Sequence, residues 1–345
     1  VPVTLGCPYG THRVLEPKGA LPQGAQRLDN TMELYDNEIL IDVETLNIDS
    51  ASFTQIRQQA GDDEGRMAQI MLQIVESRGK HHNPVTGSGG MLIGTVSALG
   101  SALQARDLKV GDRLASLVSL TLTPLVIKEI KKIHKDTAQV DIEGQAILFE
   151  SGIYAVLPPD LPQRVALAAL DVAGAPAQTA KLVKPGDRVL IIGAGGKSGA
   201  LCLHEAKKRA GVTGQVVAVD YGEEAVRRIA QLGLADVILN VDATKPLECL
   251  EALTHACGGL ADLTINCVNV PHTEMASILC TRDGGTVYFF SMATSFTAAA
   301  LGAEGVGKDV NMLIGNGYTK HHAQIALEVL RENPQLFQLF SQIYV

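Results

Sequence analysis

The stretch VLIIGAGGKSG, Val189 to Gly199, decides the fold of the second half of the chain. Val189 to Ile192 form a short apolar, β-branched run of the kind that makes a strand buried on both faces. Gly193, Gly195, Gly196 and Gly199 follow at once, and SGALCLHEAKKRAG then carries a helical pattern closed by Gly211. In such a strand–turn–helix unit Gly193 allows the tight turn and Gly195 leaves room for a pyrophosphate. The new helix offers that phosphate its free N–H groups and the positive end of its dipole. The next strand, GQVVAVD, ends on Asp220, 21 residues beyond Gly199, where a carboxylate accepts hydrogen bonds from ribose hydroxyls. A G-x-G-x-x-G pattern started at Gly193 puts Ser198 on its third glycine, so close helix–strand contact must rest on Gly199 or accommodate the serine. A carboxylate also repels a 2′-phosphate, so NAD is expected before NADP, which stays possible. Arg227 and Arg228 lie along the next helix and are expected to face solvent, although one can reach back.

Outward from this motif the strand–helix alternation continues through GEEAVRRIAQLGL, ADVILN, ADLTINCV and GGTVYFFS, a pattern that implies a parallel sheet with helices on both faces. The strand ends NCVNV and FFSMATS are expected to lie along a bound dinucleotide, through Cys267, Val268, Ser291 and Met292. Tyr221 and Lys197 belong to the same set, the lysine beside the phosphates. Upstream, the proline cluster AVLPPDLP (155–162) marks a junction. Before it the chain is β-rich, with NEILIDVETLNI (37–48), MLIGTVSALG and DRLASLVSLTLTPLVI as strands and one helical interruption between Ser50 and Gly79. Several short strands without alternating helices suggest an irregular barrel or sandwich.

A chain of 345 residues accommodates two domains. A net charge of −8, without a basic run, disfavours nucleic acid and anionic membranes as partners. The apolar runs are strand-sized, and VPVTLGCPYGTHRV has no basic start or continuous apolar segment, so a cytoplasmic protein is expected. Cys7, Cys202, Cys249, Cys257, Cys267 and Cys280 include no C-x-x-C pair and are read as reduced thiols. The adjacent pairs His81–His82 and His321–His322 are read as solvated side chains.

On these motifs the chain resembles the medium-chain dehydrogenase/reductase superfamily. Asn37 to Phe53 resembles its first catalytic-domain strand and loop, NPVTGSGGMLIGTV the segment where zinc-dependent members carry Gly-His-Glu, and LKVGDRLASL a barrel strand. The resemblance implies a GroES-like β-barrel catalytic domain over residues 1–160, completed by 311–345, and a Rossmann doubly wound parallel sheet over 161–310. It also implies a homodimer pairing through the strand around GGTVYFF. The zinc ligands of that superfamily are missing: Asp49 stands where a cysteine belongs, and Ser88–Gly89 where His-Glu belongs. No metal is therefore expected. GCPYGTHRVLEPKGALPQ (6–23) narrows the resemblance to amine-oxidising members that act on a 3,5-diaminohexanoate in lysine fermentation, using NAD and water and releasing ammonium.

Oxidative deamination needs a base to take a proton from the substrate ammonium, and a group to activate water against the resulting iminium. A carboxylate does both and attracts a cationic substrate. Asp49 is one candidate. Asp171, on the helix that the resemblance places beside the nicotinamide, is the other. A substrate carboxylate calls for a cation, and Arg13 and Lys18 are the candidates, with Tyr9 and His12 adding hydrogen bonds. Two other readings share the cofactor features. One is a zinc-independent quinone or alkene reductase; the other is a non-catalytic dinucleotide sensor.

Overall fold

A computed structural model describes residues 4–315 and 317–344, and residues 1–3, 316 and 345 lie outside the description. The chain divides into two units after Pro159. The first begins with a small antiparallel ribbon, β1 (Val14–Glu16) and β2 (Arg27–Leu28). Its main sheet holds β3 (Glu38–Ile48), β4 (Gly90–Leu99), β5 (Arg113–Ser116), β6 (Leu125–His134), β7 (Gln139–Phe149) and β8 (Tyr154–Val156). These six strands run antiparallel in the order β6-β7-β3-β4-β5-β8. The expected helical interruption is two helices, α1 (Ser50–Gln59) and α2 (Glu64–Arg78), capped by Asp49 and Asp63. They separate where Gly61 and Asp62 both adopt positive φ, which no helix continues through. Ile39, Ile41, Val43 and Leu46 of β3 pack in one core with Phe53, Ile56, Met67 and Met71 of these helices.

The second unit opens with α3 (Gln163–Leu170) and α4 (Gly174–Leu182). It then alternates as the sequence pattern implies: β9 (Arg188–Ile192), α5 (Lys197–Ala210), β10 (Gln215–Asp220), α6 (Glu223–Leu232), β11 (Val237–Asn240), α7 (Pro246–Cys257) and β12 (Ala261–Asn266). After these come α8 (Glu274–Leu279), β13 (Thr281–Phe289), α9 (Phe296–Val306), β14 (Asn311–Ile314), α10 (His322–Glu332) and α11 (Pro334–Gln342). The sheet is parallel, in the order β11-β10-β9-β12-β13-β14. Val189 and Ile191 join the core under α5 and α10, and Leu190 and Ile192 join the opposite core under α7, so β9 is apolar throughout because both faces are covered. The strand order reverses between β9 and β12, the place where such sheets leave a crevice at their carboxyl ends.

The described residues of 311–345 fall in the second unit: β14 extends the parallel sheet, while Val329, Leu330, Leu336 and Phe340 of α10 and α11 are part of the core around α5. The strand around GGTVYFF, β13, is flanked by β12 and β14, and among the described residues β14 is the edge of the sheet on that side. Among the described residues no helix is long and apolar enough to cross a membrane.

Candidate dinucleotide and catalytic site

The glycine turn in the second unit is dictated by backbone crowding. Gly193 has φ +80°, and a Cβ there would stand 2.8 Å from the amide nitrogen of Val268. A Cβ on Gly199 would strike the Gly193 carbonyl and stand 2.7 Å from Ala194 Cα, so the helix–strand contact rests on Gly199 and Ser198 is accommodated. At Gly195 a Cβ would meet Asp220 Oδ2 at 3.0 Å and Ala225 Cβ at 3.1 Å. That glycine therefore clears space for the carboxylate and α6, a reason different from the one read in the sequence. Gly196, in extended conformation, precedes α5 with no side-chain cap. Among the described residues no side chain caps the first-turn N–H groups of this 14-residue helix, which lie at the dipole's positive end. Such a terminus suits a pyrophosphate, and the residues present fit a dinucleotide.

Asp220 is oriented by its own turn. Oδ2 accepts from Gly195 N (2.8 Å) and Oδ1 from Tyr221 N (2.7 Å), which leaves each oxygen a further lone pair for a ribose hydroxyl. The Tyr221 ring itself is exposed. Of the two arginines on α6, Arg228 does reach back: Nη1 donates to Gly195 O at 2.9 Å. Lys197 Nζ lies 2.6 Å from Asp171 Oδ2, so the expected phosphate partner and one candidate base neutralise each other. The two loops expected along the nicotinamide share an anchor that sequence reasoning missed, Asn266. Its buried side chain accepts from Val268 N (3.0 Å) and donates to Thr273 Oγ1 and Ser277 Oγ (both 2.9 Å). Its carbonyl accepts from the amides of Phe290 and Ser291. Cys267 N donates to Ile192 O at 2.8 Å, and Ser291 Oγ accepts from Ala293 N, while Met292 is exposed. The signal was an asparagine closing a buried strand, ADLTIN.

In the first unit β3 and β4 end together, Ile48 opposite Gly90, and Asp49 N donates to Gly89 O at 3.0 Å. The positions where the resemblance puts metal ligands, Asp49 and Ser88–Gly89, therefore adjoin. Asp49 is exposed and caps α1 through Oδ1, 3.1 Å from Ala51 N. Its second oxygen has no hydrogen-bond partner among the described residues. The Ser88 and Thr86 hydroxyls bond each other at 2.9 Å on a loop held by Asn83, whose Nδ2 donates to Ser52 and Gln55.

The substrate cations divide. Arg13 is 1% exposed and forks onto Glu38, Nε to Oε1 and Nη2 to Oε2, both at 2.7 Å; its remaining donors go to the carbonyls of Asp29, Thr31 and Glu33. His12 joins the same carboxylate at 2.6 Å. Burial pushes the Glu38 carboxyl upward, yet the hydrogen bonds from Arg13 and His12 and the charge of Arg13 prevail and hold it below its ordinary range. Arg13 and His12 thus build the fold and are not free for substrate; Tyr9 and Lys18 are exposed. Of the four histidines read as solvated, His321 is exposed and His82 half-buried, whereas the other two are not solvated. His81 is fully buried, with neither ring nitrogen bonded, and burial brings it down to about 4; His322 is buried too and shifted downward. Next to His81, the buried Lys80 ammonium donates to the carbonyls of Pro22, Gln23 and Thr121. Among the described residues the only group of three potential metal ligands is His204, Glu205 and Glu332, whose carboxylates are already paired with Lys208 and Arg209.

An antiparallel unit followed by a doubly wound parallel sheet, with an uncapped helix start and an acid at the second strand's end, defines a dehydrogenase of the medium-chain dehydrogenase/reductase class. Residues 198–316 match a family model described as zinc-binding dehydrogenase, and residues 12–158 match the L-erythro-3,5-diaminohexanoate dehydrogenase N-terminal domain. L-erythro-3,5-diaminohexanoate dehydrogenase of Acetoanaerobium sticklandii is 60% identical over 342 residues, 99% of each chain. The protein of that name from Fusobacterium nucleatum subsp. nucleatum is 57% identical, again over 99% of each chain. A mycobacterial quinone oxidoreductase shares the fold at 18% identity, with a TM-score of 0.52 over 94% of this chain and 85% of that one. The chain belongs to the L-erythro-3,5-diaminohexanoate dehydrogenase family.

Proposed function

We propose that the protein oxidises L-erythro-3,5-diaminohexanoate at C3 with NAD and water, giving 5-amino-3-oxohexanoate and ammonium, a step of lysine fermentation. The observation that carries this reading is the near-full-length identity to two dehydrogenases of that name, together with a glycine turn and Asp220 arranged for a dinucleotide. NAD, when bound, accepts a hydride from the substrate. The protein's part is proton handling and placement. Asp49 takes a proton from the substrate ammonium, since only the free amine can release hydride from C3, and passes it to solvent; the regenerated carboxylate then takes a proton from the water that adds to the iminium and returns it to the amino nitrogen, which departs as ammonia and is released as ammonium. Its unbonded oxygen and exposure support that role, whereas Asp171 is held by Lys197. Lys18 and Tyr9 remain for the substrate carboxylate. An iminium is already electrophilic, so the reaction needs no Lewis acid, in keeping with Asp49 and Ser88 at the ligand positions of zinc-dependent members.

Asp220 favours NAD over NADP by repelling a 2′-phosphate. The free edge of β14 and the exposed Phe296 and Leu301 of α9 support a homodimer, and six free thiols support a cytoplasmic setting. The deciding experiment follows absorbance of reduced nicotinamide after mixing the protein with NAD and the diamino acid, with chelator present. Chelator-resistant reduction with ammonium release is expected, and Asp49→Asn should abolish it while NADH still binds. Binding of dinucleotide without reduction by the diamino acid would refute the assignment. A lower Michaelis constant for NADP than for NAD would refute the cofactor preference.

A further inference from the structure

The peptide units around Gly195 are held from two sides. Its N–H donates to Asp220 Oδ2 at 2.8 Å, and its carbonyl accepts two hydrogen bonds, from Arg228 Nη1 at 2.9 Å and from the Tyr344 hydroxyl at 2.8 Å. Both donors come from elements outside the turn. Arg228 projects from α6 and is steadied by Glu224 one helical turn away. Tyr344 lies two residues past α11, and its ring packs edge-on against the fully buried Phe340 with centroids 5.0 Å apart. Two adjacent glycines, 195 and 196, form the most conformationally free dipeptide a chain can contain, so keeping it in one shape is costly unless something outside it helps. The carbonyl they clamp belongs to the peptide plane shared with Gly196, the residue from which α5 starts. Because that plane is rigid, fixing its oxygen fixes the plane and so the direction in which the first N–H groups of α5 emerge.

We propose that Tyr344 and Arg228 are positioning residues for the dinucleotide, which clamp the Gly195 carbonyl and so hold the phosphate-binding start of α5 ready for its ligand. The proposal rests on the dinucleotide reading above. Neither residue touches the reacting atoms, so the clamp governs cofactor affinity and leaves the chemical step alone.

The test titrates NADH into the full-length wild type, Tyr344→Phe, Arg228→Gln and the double variant. Nicotinamide fluorescence is the readout, seen against a chain that has no tryptophan. Tyr344→Phe removes one oxygen and keeps the ring contact with Phe340; a lost neutral hydrogen bond corresponds to a rise of about five-fold in Kd. Arg228→Gln should weaken NADH by about ten-fold, a charged donor being worth more. The double variant should fall short of the product of the two, because both act on one oxygen. KM for NAD should rise in parallel while kcat stays within about two-fold, and the thermal midpoint without ligand should not move, because a general structural role would shift it. Unchanged NADH affinity in both single variants, with a wild type that binds NADH, overturns the clamp. A rise in Kd confined to variants that melt earlier overturns it as well. A wild type that binds neither NADH nor NADPH would instead overturn the dinucleotide reading itself.

Discussion

Truncating Arg13 separates a structural cation from a substrate-binding one. Arg13 and Glu38 are 1% and 0% exposed, and they meet through two parallel hydrogen bonds of 2.7 Å. Arg13→Ala would leave the Glu38 carboxylate buried, with only His12 and the Tyr35 N–H still donating to it. It would also strip the carbonyls of Thr31 and Glu33 of their donor. Breaking a buried pair by removing one partner costs about 3–5 kcal/mol, and the two hydrogen bonds left to Glu38 favour the lower end. For a unit of this size, about 3 kcal/mol corresponds to a fall of roughly 6–12 °C in the melting midpoint. Calorimetry resolves the first transition, and KM for the diamino acid is measured on the same samples. Glu38→Gln should show a comparable fall, because it discards the other half of the pair. The structural assignment is wrong if Arg13→Ala melts with the wild type and instead raises KM for substrates that carry a carboxylate. The same pair fixes a pH dependence. The folded Glu38 carboxyl is held below its unfolded value near 4.3, so its contribution is present at neutral pH and is lost as pH falls below about 4.

Gly199→Ala puts a methyl group against backbone, with Ala194 Cα 2.7 Å away, and should cost about 1–3 kcal/mol in unfolding and weaken NADH binding; Ser198→Gly should do neither. His81 is buried and neutral, brought down to about 4 against an unfolded value near 6.5, so stability is full above pH 6.5 and is lost as pH falls toward 4. The loss is on the order of 3 kcal/mol across that interval, and His81→Phe should flatten it in urea midpoints taken at pH 7 and pH 5. A wild-type midpoint that does not change over this range would place a proton-accepting partner beside the imidazole.

The second unit was legible because its central strands lie between two helical layers. Burial on both faces forces runs such as VLII and VVAV to be continuously apolar, and connecting them in parallel forces helices between them. The first unit hid more. β6 and β7 form a long hairpin, yet β6 is an edge strand whose residues alternate lysine, glutamate and isoleucine without a clean period, since little of it is covered. Arg13 was misread for a related reason. A sequence displays charge but not depth, and Glu38, 25 positions on, reads as the polar start of a strand until the fold closes the two together. Asp49 shows a further limit. It is both an N-cap and the residue at a position where zinc-dependent members carry a metal ligand, and local sequence supports each reading equally.

The glycine motif carries less information about a ligand than its reputation suggests, and its neighbours carry more. Gly193 and Gly199 are required by contacts with Val268 and with the turn's own backbone, and Gly195 by Asp220 and α6. These residues would be glycine in this fold with or without a bound phosphate. Ser198 departs from the pattern without consequence, because the close approach falls one residue later. What points beyond the fold is the set of groups the fold does not satisfy: an N-terminus of α5 with no side-chain cap, and a carboxylate held by two backbone N–H groups with lone pairs to spare. A chain selected only to fold gains from capping that helix with a serine, threonine or aspartate at position 196, by about a few tenths of a kcal/mol over glycine. Glycine there gives up that gain and keeps the N–H groups free. Gly196→Ser is therefore expected to raise the melting midpoint while weakening NADH binding, and a variant that gained in both would show that the terminus is not where the phosphate sits.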